Sequence, residues 1–293
     1  MPLGHQNDLG KLPANMALVE NRWSLSFDGD DYLEIHEDDD EAFSGRLAVS
    51  TLSLAFWVKP ANLDDKYPIF SVGTADDNQF TVAIKTDGKV EVKLVNEVHT
   101  TSSACFAGGA WSYLVVRYDG SGTPTIKVDS GTGNSLSLNK LSATTNVPSS
   151  IPNFLGNPMM IGNFAPALTG HDTCFEGLIN NAFMWHTTLT EADVTFLYSN
   201  LDRYIANPFK DDLVNSYTAG NKSHWWWGMG DGYEQGGLVD QDDVDVIFNS
   251  SSLYNPFNTA GVSTWNIYHM IMQGDPTFAS VESSSANVPS ASD

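Results

Sequence analysis

Cysteine is scarce: Cys105 and Cys174 are the 2 in a chain of 293 residues. A pair this far apart excludes a disulfide-dense scaffold and matches no metal or redox motif. One bridge or two thiols both stay open. Positive charge is scarce as well, with 14 Lys and Arg against 36 Asp and Glu, a formal net charge of −22. Such a surface repels phosphate backbones and anionic lipid, so no nucleic acid and no membrane is expected as partner. It suits a protein in saline water, or one that takes up cations. No window is long and apolar enough to span a bilayer. The opening 22 residues lack the apolar stretch of a secretory signal. The protein is therefore expected inside a cell, or outside one by a route that needs no signal. The 7 histidines contain no H-x-H or H-x-x-x-H pair, so zinc is not expected. No G-x-S-x-G and no phosphate-cradling glycine loop occurs.

Apolar residues are present in ordinary amount, and aromatics are plentiful, with 8 Trp. A chain of this length buries a sizeable core, as one large β domain or a domain with an extension. Short alternating runs recur: Trp23, Leu25, Phe27; Leu54, Phe56, Val58; Phe80, Val82, Ile84; Val90, Val92, Leu94. Thr86-Asp87-Gly88-Lys89 between the last two is a hairpin turn signal. From Cys174 to Asn200 a strand precedes a helix. Alternation puts Ile179, Phe183 and Trp185 on one face and Leu178, Ala182 and Met184 on the other. Both faces are apolar, so both are expected to be covered. Thr190-Glu191-Ala192-Asp193 is a helix start, and Val194, Leu197, Tyr198 and Leu201 follow as one apolar stripe. The Ser/Thr/Asn-rich stretch 130–158 reads as loops. Evenly spaced strands with one late helix predict an all-β, antiparallel jelly-roll sandwich.

Several segments carry a family resemblance. LSFDGDDYLEI at 25–35, SLAFWVKP at 53–60, WSYLVVRYDG at 111–120 and the F-x-G-x-I strand at 175–179 stand in one order. Together they resemble a laminin-G-like domain of the concanavalin A-like lectin/glucanase superfamily, from about Trp23 to Leu201. Tyr113 stands where that family often has His. The resemblance implies a leader or docking arm at 1–22 and the jelly roll at 23–201. Beyond it, 202–279 is expected as an extension that packs on the jelly roll or a partner, and the Ser-rich end 280–293 reads as a disordered tail. Trp227-Gly228-Met229-Gly230-Asp231 is similar to a segment found with such domains in structural proteins of marine tailed phages.

Asp28, Asp30 and Asp31 offer hard oxygen ligands on a tight turn, which is what calcium needs. The plain alternative is a turn whose Asp side chains cap backbone N–H groups. Many members of the superfamily hold calcium near this turn, with acidic help from a late strand; here that strand supplies Asn180 and Asn181. A second oxygen cluster is Asp76, Asp77 and Asn78. Trp225, Trp226 and Trp227 are a glycan platform or interface aromatics, although three in a row cannot share one face. Glu37, Asp39 and Glu41 have the glucanase spacing, but Asp38 and Asp40 between them favour an exposed acidic loop over a catalytic strand. The expectation is therefore not an enzyme. It is a virion display protein, on capsid, fibre or tail, with other virion subunits and its own copies as partners and cell-surface glycans as contacts. The alternative is an extracellular, carbohydrate-binding lectin, with calcium as its cofactor.

Overall fold

The computed structural model describes residues 23–35, 47–154, 157–165 and 173–199, with five further strands between 224 and 280. The expected leader 1–22, the acidic run 37–41, Leu201 and the tail beyond Ser280 lie outside the described residues.

In chain order the strands are β1 (Trp23–Asp28), β2 (Tyr32–Ile35), β3 (Thr51–Pro60), β4 (Tyr67–Ala75), β5 (Asn78–Ile84) and β6 (Val90–Leu94). They continue as β7 (Glu97–Thr100), β8 (Ser112–Asp119), β9 (Thr125–Thr132), β10 (Ser135–Ala143), β11 (Met160–Ile161) and β12 (Glu176–Trp185). Helix α1 (Glu191–Ser199) follows, and then β13 (His224–Trp227), β14 (Leu238–Gln241), β15 (Val244–Ile247), β16 (Met270–Gln273) and β17 (Thr277–Ser280). One sheet has the order β10-β9-β8-β3-β12-β1-β17, with β13 also on β12. The other has the order β14-β15-β16-β2-β11-β4-β5-β6-β7. Every pairing is antiparallel. This is the sandwich that the alternating runs predict. Strands from beyond residue 201 join both sheets, β13 and β17 the first and β16 the second.

The alternation explains the core. Leu54, Phe56 and Val58 of β3 meet Phe80, Val82 and Ile84 of β5 in one buried cluster between the sheets. Each such side chain contributes roughly 1.5–3 kcal/mol of burial. The odd residues of β3, Ala55 and Trp57, face outward into a second buried cluster with Tyr113, Val115 and the α1 residues Val194, Leu197 and Tyr198. Trp57 stacks on Tyr198, with ring centroids 6.0 Å apart and planes at 11°. Thr190 caps the helix reciprocally. Its Oγ1 accepts the Asp193 N–H at 3.2 Å, and Asp193 Oδ2 accepts the Thr190 N–H at 2.8 Å. The carboxylate of Asp thus does the work that Glu or Gln does in this motif.

Two expectations need correction. On β12, Ile179, Ala182 and Met184 face the inter-sheet core, while Leu178, Phe183 and Trp185 face the helix. The register on β3 shifts between Asn180 and Ala182, so one extra residue reverses the alternation halfway along the strand. The stretch 130–158 is not all loop, because β10 fills Ser135–Ala143. It is an edge strand with exposed Ser residues, and Leu136 and Leu138 pack on the helix-side cluster while Leu141 packs on the inner one. Its register on β9 also shifts, between Ser137 and Leu141, where Asn139 adopts φ 55°.

Gly177 of the F-x-G-x-I strand has φ 139°, and a Cβ there would stand 2.2 Å from the Lys59 carbonyl oxygen. Both conditions require glycine.

Candidate functional site

The Asp28–Asp31 turn links β1 in one sheet to β2 in the other. Gly29 makes the reversal at φ 108°. One ligand oxygen from each of Asp28, Asp30 and Asp31 lies within 4.8 Å of the other two. Among the described residues no other group of three His, Cys, Asp or Glu side chains gathers this closely. Asp31 is buried and its Oδ2 accepts the Asp28 N–H at 2.9 Å. Hydrogen bonds from Asp30 hold the Asp28 carboxyl below its ordinary range. Cys174 stands beside the turn. Burial first, and then the charges of Asp30 and Asp31, push its thiol pKa up. Both cysteines are free thiols. Three carboxylates of hard oxygen suit calcium, which takes roughly six to eight oxygens, the remainder from backbone carbonyls or water. The same bonds fit the capping turn that sequence offers as the alternative.

Asn180 does not join this turn. Glu176 is the β12 residue opposite Asp28, and Asn180 lies four residues further on, opposite Trp57. At about 3.3 Å per residue that is roughly 13 Å away. Glu176 itself is engaged by Asn62 Nδ2 at 3.0 Å. Asp76 and Asp77 sit exposed in the β4–β5 turn, where Asp76 accepts a hydrogen bond from Gln79 Nε2 through its carbonyl. Trp225, Trp226 and Trp227 belong to β13 and stand opposite Met184, Phe183 and Ala182 of β12.

Motif reading missed a second region, the outer face of the second sheet. Phe80, Val82 and Ile84 point inward, so Gln79, Thr81 and Ala83 point out. Cross-strand neighbours extend this face to Ser71 of β4, Glu91 and Lys93 of β6, and Val98 and Thr100 of β7. Near β4 the face is covered. The Ala165 N–H donates to Ser71 Oγ, and Phe164 packs on Ala83. Lys66 Nζ lies 5.7 Å from the Phe164 ring centroid and 2.6 Å from Glu91 Oε1. Thr81 Oγ1 donates to Gln79 Oε1 at 2.8 Å. Towards β7 the face opens. Val98 is 51% exposed, the one large apolar side chain so exposed among the described residues. The β6–β7 turn is fixed by Val95, held at φ 60° with its N–H on the Gln79 carbonyl at 2.7 Å. A β-branched residue rarely adopts that conformation; packing of Val95 on the inner core holds it there. A polar alternation on β6, with Glu91 and Lys93 between Val90, Val92 and Leu94, is the signal that marks this face in the sequence.

A family model described as the concanavalin A-like lectin/glucanases superfamily matches residues 27–195, more than half of the chain. Among solved structures, a protein of Bacteroides ovatus provisionally described as carbohydrate-binding superposes with TM-score 0.57 at 10% identity. The alignment covers 92% of this chain and 62% of that one, so the chain spans less than two thirds of its length. The CBM40 module of the Ruminococcus gnavus IT-sialidase, solved with alpha2,3 sialyllactose, gives TM-score 0.45 at 14% identity, covering 59% and 95%. Domains LG4-5 of the mouse laminin alpha1 chain give TM-score 0.38 at 16% identity, covering 55% and 40%. No curated protein matches the chain.

Proposed function

Because the chain belongs to the concanavalin A-like lectin/glucanase superfamily, we propose that it is a non-enzymatic carbohydrate-binding protein, a lectin that works outside the cell. The observation that carries the reading is the contrast between its sheets. One outer face is sealed by apolar packing, and the other presents polar side chains in a family of sugar-binding sandwiches. The Bacteroides ovatus neighbour shares the sandwich and is described as carbohydrate-binding, which supports the same reading. The non-enzymatic part rests on the sequence. Glucanase chemistry needs two carboxylates set across a cleft. The E-x-D-x-E spacing here runs through five consecutive acids instead.

Calcium belongs to the proposal as a structural ion at Asp28, Asp30 and Asp31. There it would tie the corner where the chain crosses between the sheets. The lectin reading displaces virion display, whose one specific resemblance is the Trp227 to Asp231 segment. Mass spectrometry of purified phage particles that contained this chain would restore that second reading, with virion subunits as partners.

A glycan array probed with the full chain, with and without calcium, tests the leading reading. Reproducible binding to defined glycans is expected. Binding to none, in either buffer, would defeat it.

A further inference from the structure

The lectin reading does not say where a saccharide sits or of what kind it is. The first sheet offers little. Its outer face is filled by aromatic side chains and closed by α1. On the second sheet, the β4–β5 part of the outer face lies under Phe164 and Ala165. Towards β7 the exposed side chain of Val98 marks accessible surface.

Four side chains form a two-by-two patch there. Glu91 is the cross-strand neighbour of Thr100, and Lys93 is the neighbour of Val98. Directly opposed residues on one face of an antiparallel pair lie within about 5.5 Å at Cβ, which is the scale of a single pyranose ring. The chemistry is mixed. Glu91 is an acceptor already fixed by Lys66 at 2.6 Å. Lys93 is a half-buried donor that makes no hydrogen bond or ion pair with any described residue. Thr100 carries a hydroxyl that donates and accepts, and Val98 gives an apolar contact. A sugar presents the same mixture: hydroxyls that donate and accept around the rim, and a C–H face. The β6–β7 turn is tied back to β5 by the Val95 N–H on the Gln79 carbonyl at 2.7 Å.

Charge selects within the class of saccharides. The chain carries a net charge of −22, and a single unpaired lysine on the patch does not reverse that field. Polyuronates and sulfated chains are repelled on approach.

We propose that Glu91, Lys93, Val98 and Thr100 form a shelf on β6–β7 that binds an uncharged saccharide, with Val98 beneath a C–H face of the ring and the other three on its hydroxyls. This rests on the lectin reading and goes further, to a place and a ligand class.

The test uses the full chain and immobilised neutral polysaccharides (mannan, galactan, arabinan, β-glucan) beside heparin and polygalacturonate. Lys93→Ala, Val98→Asn and Thr100→Ala are compared with the wild type, and Lys127→Ala on the first sheet is the control. Melting curves establish that each variant is folded. The expected result is binding to at least one neutral polymer, weakened tenfold or more by Lys93→Ala and by Val98→Asn and unchanged by Lys127→Ala. Neutral-polymer binding that both shelf variants retain would overturn the shelf and leave the lectin reading standing. Binding to heparin or polygalacturonate alone would overturn the ligand class. A wild type that binds no polymer would overturn the lectin reading, and the shelf with it.

Discussion

The outer face of the first sheet and the outer face of the second are built on opposite principles. The first is apolar and roofed: Trp57, Tyr113, Phe183 and Trp185 lie under α1. A buried charged pair interrupts it. Arg117 and Asp129 are 3% and 0% exposed, joined from Nε to Oδ2 at 2.7 Å and from Nη2 to Oδ1 at 2.9 Å. The guanidinium also donates to the Leu189 carbonyl at 3.2 Å, and Asn139 Nδ2 donates to Glu191 Oε1 at 2.7 Å. Those two bonds clamp the approach to the helix and its first residue. The bulge on β10 supplies Asn139, whose N–H bonds Asp129 Oδ1 at 2.7 Å. The buried Arg117–Asp129 pair is thus satisfied within this face. The second face keeps Lys93, Thr100 and Val98 for solvent or ligand. On the proposed reading, stability is concentrated on one side of the molecule and recognition on the other.

Substitutions separate the two roles. Arg117→Met strands Asp129 as a buried, uncompensated charge and is expected to cost about 3–5 kcal/mol in chemical denaturation. A loss below about 1 kcal/mol would mean that the pair does not anchor the roof. Gly177→Ala forces a Cβ against the Lys59 carbonyl at a positive φ, and about 1–3 kcal/mol is expected from the backbone conformation alone. Thr190→Ala removes the helix cap and is expected to cost about 1 kcal/mol. Lys93→Ala and Val98→Asn should change stability by no more than about 0.5 kcal/mol, because neither side chain is packed in either core cluster. A large loss of stability from either one would dissolve the contrast.

Acid should act gently and in one direction. Burial holds the pKa of His99 below its ordinary 6.5, with Glu97 opposing weakly. The unfolded chain then takes up that proton first, so stability falls as pH drops from about 6.5 through the folded value. The carboxyl of Glu191 is lowered mainly by its hydrogen bond with Asn139, and its contribution is lost further down, as pH falls through the folded value below 4.5. Melting curves of wild type and His99→Gln between pH 7 and 5 check the first step, which the variant should lack.

Much of the fold was legible because its signals are local. The alternation in β3 and β5 gave the inward faces, and Thr190 to Asp193 gave the helix start. The two bulges were not legible. Nothing in Ile179-Asn180-Asn181-Ala182 announces an extra residue, since only pairing with β3 defines it. Asn180 was assigned to the Asp28 turn by the resemblance, whereas the register places Glu176, four residues earlier, opposite Asp28. The β10 strand was hidden because an edge strand needs only a few leucines among serines. The three Asp residues of the turn were legible as a cluster, being neighbours in sequence. The β6–β7 shelf was not, because Glu91 and Thr100, like Lys93 and Val98, become neighbours only across a hairpin.

The most direct measurement is NMR chemical-shift mapping of the full chain titrated with a soluble oligosaccharide of whichever neutral polymer it binds. The account predicts that the largest shifts fall at Glu91, Lys93, Val98 and Thr100, with α1 unmoved. Shifts centred on α1 and Trp57, or on the Asp28 turn, would contradict it.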